Sequence, residues 1–332
     1  MKKIEVSIIC LAYNHEKYLR SALQGFVEQI TDFGFEVLVH DDASTDTTAD
    51  IIREYAEKYP DIIKPTFQTE NQLSKRVKIL YAFLLPKAQG KYLAFCEGDD
   101  FWTDPHKLQK QYDILEEHAE CSLCVHRVVC LNKDGTANER TLPDSKYHLN
   151  SDQLITRTDL CRLYWMMGGY PFHTSSYFMR KDCLYLDIDV WREVGHLKKC
   201  LIEGDAYYID TPMSARRLLT EGSFNQRLTA GGFKARLKMM EDDILTDYNL
   251  SQNTDGMIRD YARYGVMDRI LLISNYTPQH AKELLINYPV PIFQAVKAAN
   301  AKTKLKFIVK YVLLKICPEK VFLKLVKKPH DA

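Results

Sequence analysis

The sequence has no long hydrophobic run, no excess of charge of one sign and no glycine-rich phosphate loop. No stretch reaches the eighteen or so apolar residues that span a bilayer, and 45 basic against 44 acidic residues leave a net charge of +1. Broad attraction to nucleic acid is therefore not expected. No GxGxxG follows the first predicted strand and no Walker lysine motif occurs, which argues against a Rossmann dehydrogenase and a P-loop enzyme.

Cysteine usage indicates a reducing compartment. The nine cysteines are an odd number and lie mostly in apolar contexts, as expected for buried thiols in a cytoplasmic protein. Cys121 and Cys124 form one CxxC without a second pair at zinc spacing, so core packing is the favoured interpretation. The first residues lack the pattern of a secretory signal.

The order of predicted elements indicates an α/β fold. Apolar, β-branched runs alternate with helical patterns, and Asn14 is placed to cap the first helix. This order predicts a mostly parallel sheet with helices on both faces, where ligands collect at the carboxyl ends of the strands. The predicted strands are 5–11, 35–39, 62–67, 92–95, 121–132, 173–181 and a strand after 204; the predicted helices are 15–29, 49–59, 74–85, one from Pro105 and a helical region from about 239.

In the stretch KYLAFCEGDDFWTDP, residues 91–105, a predicted buried strand is followed directly by three carboxylates, Glu97, Asp99 and Asp100. Adjacent carboxylates repel each other unless a cation lies between them. Asp41 and Asp42 end another predicted strand, so two acidic pairs should converge at one edge of the sheet. Oxygen ligands of this kind suit Mg²⁺ or Mn²⁺ shared with phosphate. The alternative is that these aspartates only cap turns and helices.

Several separated motifs resemble family 2 glycosyltransferases of the GT-A fold. They are VSIICLAYNHEKYL, VLVHDDASTDTTADII, GKYLAFCEGDDFWTDPHKLQKQ, HTSSYFMRK and YYIDTPMSARRLLTEGSF. The resemblance implies a Rossmann-like GT-A domain over 1–238, with a nucleotide-sugar-binding half at 1–120 and an acceptor half at 121–238. A helical C-terminal region would follow at 239–332. It also implies an inverting, nucleotide-sugar-dependent, metal-assisted hexosyltransferase.

By position, the resemblance assigns the base of the nucleotide to Ala12, Tyr13 and Asp42, the ribose to Asp99, and the metal, Mn²⁺ or Mg²⁺, to Asp100. Lys75 or Arg76 could also reach the nucleotide, although solvated lysines are common at such places. One of Arg216 and Arg217 could grip the diphosphate, because adjacent strand residues face opposite ways. The predicted nucleotide-sugar-binding set is Ala12, Tyr13, Asn14, Asp41, Asp42, Lys75 and Asp99.

The general base departs from the family pattern. The family commonly places an Asp, often after Gly, on the helix after the HTSS-like strand, and this sequence has no Gly-Asp there. Glu193 lies nearest the expected place and is the favoured base, with His196 next; either could be an ordinary helix residue. Asp205 is expected to serve its own turn. His173 could line the acceptor side or be a satisfied strand histidine.

The predicted reaction moves a hexose or N-acetylhexosamine from a UDP-sugar to a glycan, or a lipid-linked glycan, in bacterial-type surface polysaccharide synthesis. Two alternatives stay open: a sugar-phosphate nucleotidyltransferase, which would need a basic Gly-rich loop after the first strand, and a non-catalytic sugar-nucleotide-binding subunit. No nucleic-acid partner is expected.

The C-terminal tail, residues 302–328, carries nine lysines against one glutamate. Its apolar residues recur at helical spacing; they are Leu305, Ile308, Val309, Val312, Leu313 and Ile316. One interpretation is a terminal helix packed on the protein with its lysines in water. The other is an amphipathic helix on anionic lipid, which would make the protein peripheral on the cytoplasmic face of a membrane.

Overall fold

The computed structural model describes residues 2–167, 171–190, 192–218, 220, 226, 230–297 and 299–326, with the side chains of 192–194 outside the description. The chain forms two compact units. The first comprises Met1–Leu160, Tyr170–Leu186 and Leu197–Ala230, and the second comprises Cys161–Gly169, Asp187–His196 and Gly231–Ala332.

The first unit is built on one mixed sheet. The strands of the described chain are β1 Ile4–Ala12, β2 Gly34–Asp41, β3 Ile63–Phe67, β4 Tyr92–Phe95, β5 Phe101–Trp102, β6 Cys121–Leu131, β7 Ala137–Leu142, β8 Gln153–Ile155, β9 Phe178–Arg180 and β10 Asp205–Arg217. Their order in the sheet is β3-β2-β1-β4-β9-β6-β10-β5, with β7 beside β6 and β8 beside β10. Strands β3, β2, β1 and β4 are parallel, while β9 runs antiparallel to both of its neighbours.

The helices follow the apolar periodicity of the sequence. In the first helix, for example, Leu19, Leu23 and Phe26 are buried at helical spacing and join the core that includes the central strands. The helices of the described chain are α1 Leu19–Val27, α2 Thr48–Lys58, α3 Lys107–Glu117, α4 Arg157–Cys161, α5 Arg192–Glu203, α6 Gly232–Asn253, α7 Gly256–Ile273, α8 Pro278–Asn287, α9 Ile292–Ala295, α10 Ala301–Ile316 and α11 Glu319–Val326. The predicted α/β fold with a helical C-terminal region is confirmed.

Two predicted elements are shorter than expected. In the predicted helix 74–85, only the π-helical segment Leu80–Leu84 forms, because Arg76 adopts a positive φ of 59°, which an α-helix does not accommodate. The predicted strand 173–181 is shorter than expected. Thr174–Ser176 forms a 3₁₀ turn, and the strand proper is β9.

A buried hydrogen-bond network supports the parallel strands of the first unit. The Glu36 carboxylate, on β2, accepts a hydrogen bond of 2.7 Å from Ser7 Oγ on β1 and one of 2.8 Å from the Gln89 backbone N–H. Ser7 Oγ in turn accepts from the Gly90 N–H at 2.9 Å. Gly90 is required there, because a Cβ would lie 2.5 Å from the Ser7 nitrogen. The turn before β4 is thereby fixed against β1 and β2.

The second unit is helical. Helices α6 and α7 contact each other, and Ile244 of α6 and Ile270 of α7 are both buried. An ion pair links the two helices, with Arg269 Nη1 2.7 Å from Asp247 Oδ2. Among the described residues, no helix combines the length and the apolar character needed to cross a bilayer.

Candidate active site

Three parallel strands end side by side in the first unit. Ala12, the last residue of β1, is in register with Asp41, the last residue of β2. On the other side of β1, Ile9 is in register with Phe95, the last residue of β4. The residues that follow β1, β2 and β4 therefore share one edge of the sheet, where ligands bind in open α/β folds.

The turn after β4 carries the three carboxylates Glu97, Asp99 and Asp100, and we call it the acidic turn. The Asp100 N–H donates to the Glu97 carbonyl at 3.1 Å, and the Gly98 N–H donates to the Leu11 carbonyl of β1 at 2.9 Å. A Cβ on Gly98 would lie 2.8 Å from His15 Nδ1, so a larger residue here would have to displace the His15 side chain. One ligand oxygen from each of Glu97, Asp99 and Asp100 lies within 4.8 Å of the others.

Residues at and after the end of β10 hold Asp99 and Asp100 in place. The Arg217 backbone N–H donates to Asp100 Oδ1 at 2.8 Å, and Arg217 Nη1 donates to the Asp99 carbonyl at 2.8 Å. Its guanidinium also lies over the Phe101 ring, 4.4 Å from the centroid. Thr220 Oγ1 donates to Asp99 Oδ2 at 2.8 Å. Arg217 thus holds the turn through the backbone of Asp99, a role that the sequence did not suggest.

The electrostatics of this turn favour a bound cation. Burial, and after it the charge of Asp99, raise the pKa of the Asp100 carboxyl well above its usual range, although the Arg217 N–H and the charges of Arg216 and Arg217 oppose the shift. An ionised Asp100 therefore needs further positive charge. Clustered carboxylate oxygens are the ligands that Mg²⁺ and Mn²⁺ prefer. The residues of the turn fit a divalent cation.

His173 lies beside Asp100. Its Nε2 is 3.6 Å from Asp100 Oδ2, which is too long for a hydrogen bond, and its Nδ1 is 3.0 Å from Ser175 Oγ. Burial, followed by the charge of Arg216, lowers the pKa of His173 well below 6.5, so the imidazole is neutral at neutral pH. A neutral imidazole next to Asp100 adds no charge to the turn.

The loops after β1 and β2 brace each other. The Asn14 side chain accepts from the Thr45 N–H at 2.8 Å, and the Asn14 N–H donates to Ser44 Oγ at 2.9 Å. Asn14 adopts a positive φ of 56°, which asparagine tolerates better than most residues. The predicted helix cap is wrong, because α1 begins only at Leu19 and the Asn14 side chain is taken by the neighbouring loop. Tyr13 is partly buried in the same segment.

Asp41 and Asp42 are both buried at this edge. Asp41 accepts from Ser44 Oγ at 2.5 Å. The two oxygens of Asp42 accept from the backbone N–H groups of Gln72, at 2.7 Å, and Leu73, at 3.1 Å. Asp42 therefore fixes the loop after β3 to the end of β2.

Lys75 lies in the same loop and forms a short ion pair with Glu70, with about half of the lysine side chain exposed. Its predicted contact with a nucleotide stays a prediction. Glu193 is the second residue of α5, and its side chain lies outside the described residues. His196 follows one turn later and is 9% exposed. Both belong to the second unit, and their roles also stay predictions.

The first residue of α3, Lys107, is a fully buried lysine. Lys107 Nζ, on α3, donates to Gln111 Oε1 at 2.6 Å and lies 4.0 Å from the centroid of the Trp102 ring. Trp102 Nε1 donates to the Ser175 carbonyl at 3.1 Å, and Gln111 Nε2 donates to the Ser176 carbonyl at 2.9 Å. Because Ser175 also contacts His173, Lys107, Trp102 and Gln111 support the backbone segment that follows His173.

Replacing Lys107 with methionine should flatten the pH dependence of stability. Burial lowers the pKa of Lys107 from 10.5 to about 7, so between these values the unfolded chain binds the extra proton. The wild-type free energy of unfolding should therefore increase as pH rises from about 7 toward about 10, because the folded protein holds a neutral Lys107 over this range. Below pH 7 Lys107 is charged in the folded protein, and the full cost of burying that charge persists. Lys107→Met should lack this gain.

The measurement is the free energy of unfolding in urea at several pH values for both proteins. The test is the slope of the free energy of unfolding against pH, not its absolute value. The unpaired Gln111 in Lys107→Met lowers the free energy of unfolding by about 1–3 kcal/mol at every pH. Lys110→Met on the same helix, where the lysine is half exposed and pairs with Asp104, is the matched control and should keep the wild-type slope. Parallel curves for wild type and Lys107→Met would contradict the prediction.

Comparison with known proteins agrees with this architecture. The family model described as glycosyl transferase family 2 matches residues 7–179. An uncharacterized protein of Mycobacterium tuberculosis is 43% identical over 153 residues, which are 46% of this chain and 43% of that protein. EpsE of Bacillus subtilis, which carries a glycosyltransferase name, is 29% identical over 189 residues, or 56% of this chain and 65% of EpsE. The chain thus spans less than half the length of its mycobacterial relative.

Solved structures with similar folds include two sugar-nucleotide complexes. TarS of S. aureus in complex with UDP-GlcNAc has a TM-score of 0.62 at 16% identity, over 97% of this chain and 91% of that one. The mannosyltransferase PcManGT from Pyrobaculum calidifontis, in complex with GDP-Man and Mn²⁺, has a TM-score of 0.52 at 17% identity, over 97% and 83%. These likenesses concern the fold.

The sheet order, the shared strand edge and the acidic turn after β4 define a GT-A-type α/β protein. With the family model matching more than half of its length, the chain belongs to glycosyl transferase family 2.

Proposed function

We propose that this chain is an inverting, metal-dependent glycosyltransferase that moves a hexose or N-acetylhexosamine from a UDP-sugar to a glycan or lipid-linked glycan. The process would be bacterial-type surface polysaccharide synthesis. The observation that carries the proposal is the carboxylate cluster of Glu97, Asp99 and Asp100 at the edge where β1, β2 and β4 end. TarS bound to UDP-GlcNAc and PcManGT bound to GDP-Man and Mn²⁺ support a sugar-nucleotide donor and a divalent cation.

The donor would lie along this edge of the sheet. Ala12, Tyr13 and Asp42 would contact the base, and Asp99 would lie near the ribose. Asp42 already accepts two backbone hydrogen bonds, but an ionised carboxylate offers about four lone-pair positions. It can therefore accept from a base while it continues to hold the loop after β3. Asn14 and Asp41 would act mainly by bracing the loops around the base.

Asp100, with Glu97 beside it, would hold Mn²⁺ or Mg²⁺. When bound, the ion supplies positive charge to the diphosphate that leaves. Arg217 is a positioning residue, because its contacts run to the backbone of Asp99 and to one oxygen of Asp100. His173, whose Nε2 lies 3.6 Å from Asp100 Oδ2, could line the acceptor side.

Residues 1–120 would form the nucleotide-sugar half and 121–238 the acceptor half, with Glu193 or His196 removing the proton from the attacking acceptor hydroxyl. The active site would be cytoplasmic. Contact of residues 302–328 with an anionic membrane belongs to the same proposal, since a lipid-linked acceptor would be presented there.

A donor panel tests the proposal. Thermal unfolding should be recorded with UDP-sugars and GDP-sugars, each with Mn²⁺ and with EDTA, and release of nucleoside diphosphate should be measured in parallel. We expect Mn²⁺-dependent stabilisation by UDP-sugars, of about 2.7 kcal/mol at one hundred times the dissociation constant, together with slow donor hydrolysis. Stabilisation without any hydrolysis or transfer would favour a non-catalytic binding subunit, and no stabilisation by any sugar nucleotide would reject the proposal.

A further inference from the structure

Helix α10 has one face anchored in the second unit. Phe307 and Leu314 are the buried residues of this helix, and the Phe307 ring stacks on Tyr264 of α7 with centroids 5.1 Å apart. Phe307 and Leu314 are seven residues apart and so lie on the same side of the helix. The direction in which α10 packs is therefore fixed by these two side chains.

The opposite face of α10 is apolar and exposed. Leu305, Val309, Val312 and Ile316 recur at spacings of four, three and four residues. At about 100° per residue, their side chains fall within a sector of the helical wheel about 60° wide. The centre of that sector lies about 180° from Phe307 and Leu314. We name these residues the apolar stripe, with exposed fractions of 65%, 48%, 45% and 71% for Leu305, Val309, Val312 and Ile316.

Lysines flank the apolar stripe on both sides. On the helical wheel, Lys302 and Lys306 lie on one side, and Lys304 and Lys315 lie on the other. Lys302, Lys306 and Lys315 are exposed, and α10 contains no acidic residue. The pattern continues in α11, where Leu325 is 58% exposed beside the exposed Lys324.

We propose that the apolar stripe and its flanking lysines dock on an anionic lipid surface. Four apolar side chains in line, opposite the packing face, are more than the scattered exposed residues of an ordinary surface. Lysines on both edges can bury their methylene stems beside the stripe while their ammonium groups reach lipid phosphates. A helix of this design lies in the membrane interface without spanning it.

This inference deepens the proposed function and rests on it for its purpose, which is to hold the active site near a lipid-linked acceptor. The structure also changes the surface that the sequence suggested. The sequence grouped Ile308 and Leu313 with the stripe, but both are partly buried beside it. Phe307 and Leu314 complete the inward face, which the sequence pattern did not separate from the outward one.

The test is cosedimentation of the full chain with phosphatidylcholine vesicles and with vesicles that also contain phosphatidylglycerol. We expect binding to the anionic vesicles that weakens with salt. The double variant Leu305→Ser/Ile316→Ser should lose at least about tenfold in affinity, because two large apolar side chains no longer enter the interface. The triple variant Lys302→Gln/Lys306→Gln/Lys315→Gln should lose the preference for anionic lipid.

Ile286→Ser/Phe293→Ser is the matched control. These two side chains are 75% and 74% exposed in the same unit but lie outside α10, and their replacement should change vesicle binding by less than about twofold. Circular dichroism should show the same thermal unfolding for the stripe variant as for wild type, since all replaced residues are exposed.

Three results would overturn the inference: no binding of wild type to anionic vesicles at low salt, equal binding of wild type and the stripe variant, or self-association in solution that requires the stripe. Donor hydrolysis measured without vesicles keeps the two proposals apart. We expect the stripe variant to keep wild-type hydrolysis. If hydrolysis is absent from both proteins while vesicle binding still requires the apolar stripe, the proposed activity is rejected and the proposed lipid-binding role of the stripe is retained.

Discussion

Asp100→Asn should abolish Mn²⁺-dependent donor binding and reduce turnover by at least about 100-fold. The change removes one negative oxygen from the centre of the acidic turn and leaves a neutral amide of the same shape. A metal ion contributes several kcal/mol of charge stabilisation to a leaving diphosphate, and 1.4 kcal/mol corresponds to a factor of ten. The measurement is calorimetric titration of UDP with Mn²⁺ present, alongside the rate of UDP release.

The fold should survive this substitution. Burial and the charge of Asp99 raise the pKa of Asp100, so the ionised carboxylate is already unfavourable without a cation. Thermal unfolding in EDTA should therefore stay at or above the wild-type temperature. Asp104→Asn is the matched control, because Asp104 lies four residues on, accepts from the His106 N–H at 2.8 Å and pairs with Lys110. Unchanged Mn²⁺ and UDP affinity in Asp100→Asn would remove the metal assignment.

Glu193→Gln should lower turnover by about 10²–10⁴-fold and change donor affinity by much less. A general base acts mainly in the transition state, where it removes the proton of the acceptor hydroxyl, so its loss reduces the rate rather than ground-state binding. The measurement is the rate of transfer to a glycan acceptor at saturating donor, with the dissociation constant of UDP recorded for the same variant.

His196→Ala is the companion variant, because His196 is the second candidate for the base. If Glu193→Gln keeps near-normal turnover while His196→Ala does not, His196 takes the role. If both variants transfer normally, the base lies elsewhere. A Glu193→Gln variant with lost donor affinity and unchanged maximal rate would contradict a role in proton transfer for Glu193.

The edge of the sheet could be predicted because it depends on local signals. Short apolar strands separated by helices require parallel pairing, and parallel pairing brings Ala12 next to Asp41 and the end of β4 next to β1. The run of carboxylates after Tyr92–Phe95 could likewise be recognised, since few other arrangements explain adjacent charges at the end of a buried strand. No partner distant in sequence is needed for either inference.

Contacts between distant segments could not be predicted. Asn14 satisfies the usual rule for a helix cap, but Thr45, which lies 31 residues further on, takes its side chain. His173 and Arg217 lie near the acidic turn only because β9 and β10 belong to the same sheet as β4. Lys107 occupies a position where a lysine is normally exposed, and only the tertiary structure places it over Trp102.

A crystal structure with UDP and Mn²⁺ bound, with data collected at the manganese absorption edge, would show whether the turn after β4 holds the metal and the donor. We expect an anomalous peak within bonding distance of an Asp100 carboxylate oxygen and of the UDP diphosphate, with the uracil beside Asp42 and Tyr13. UDP bound at this edge with no anomalous peak near Glu97, Asp99 or Asp100, or UDP bound away from the ends of β1, β2 and β4, would contradict this expectation.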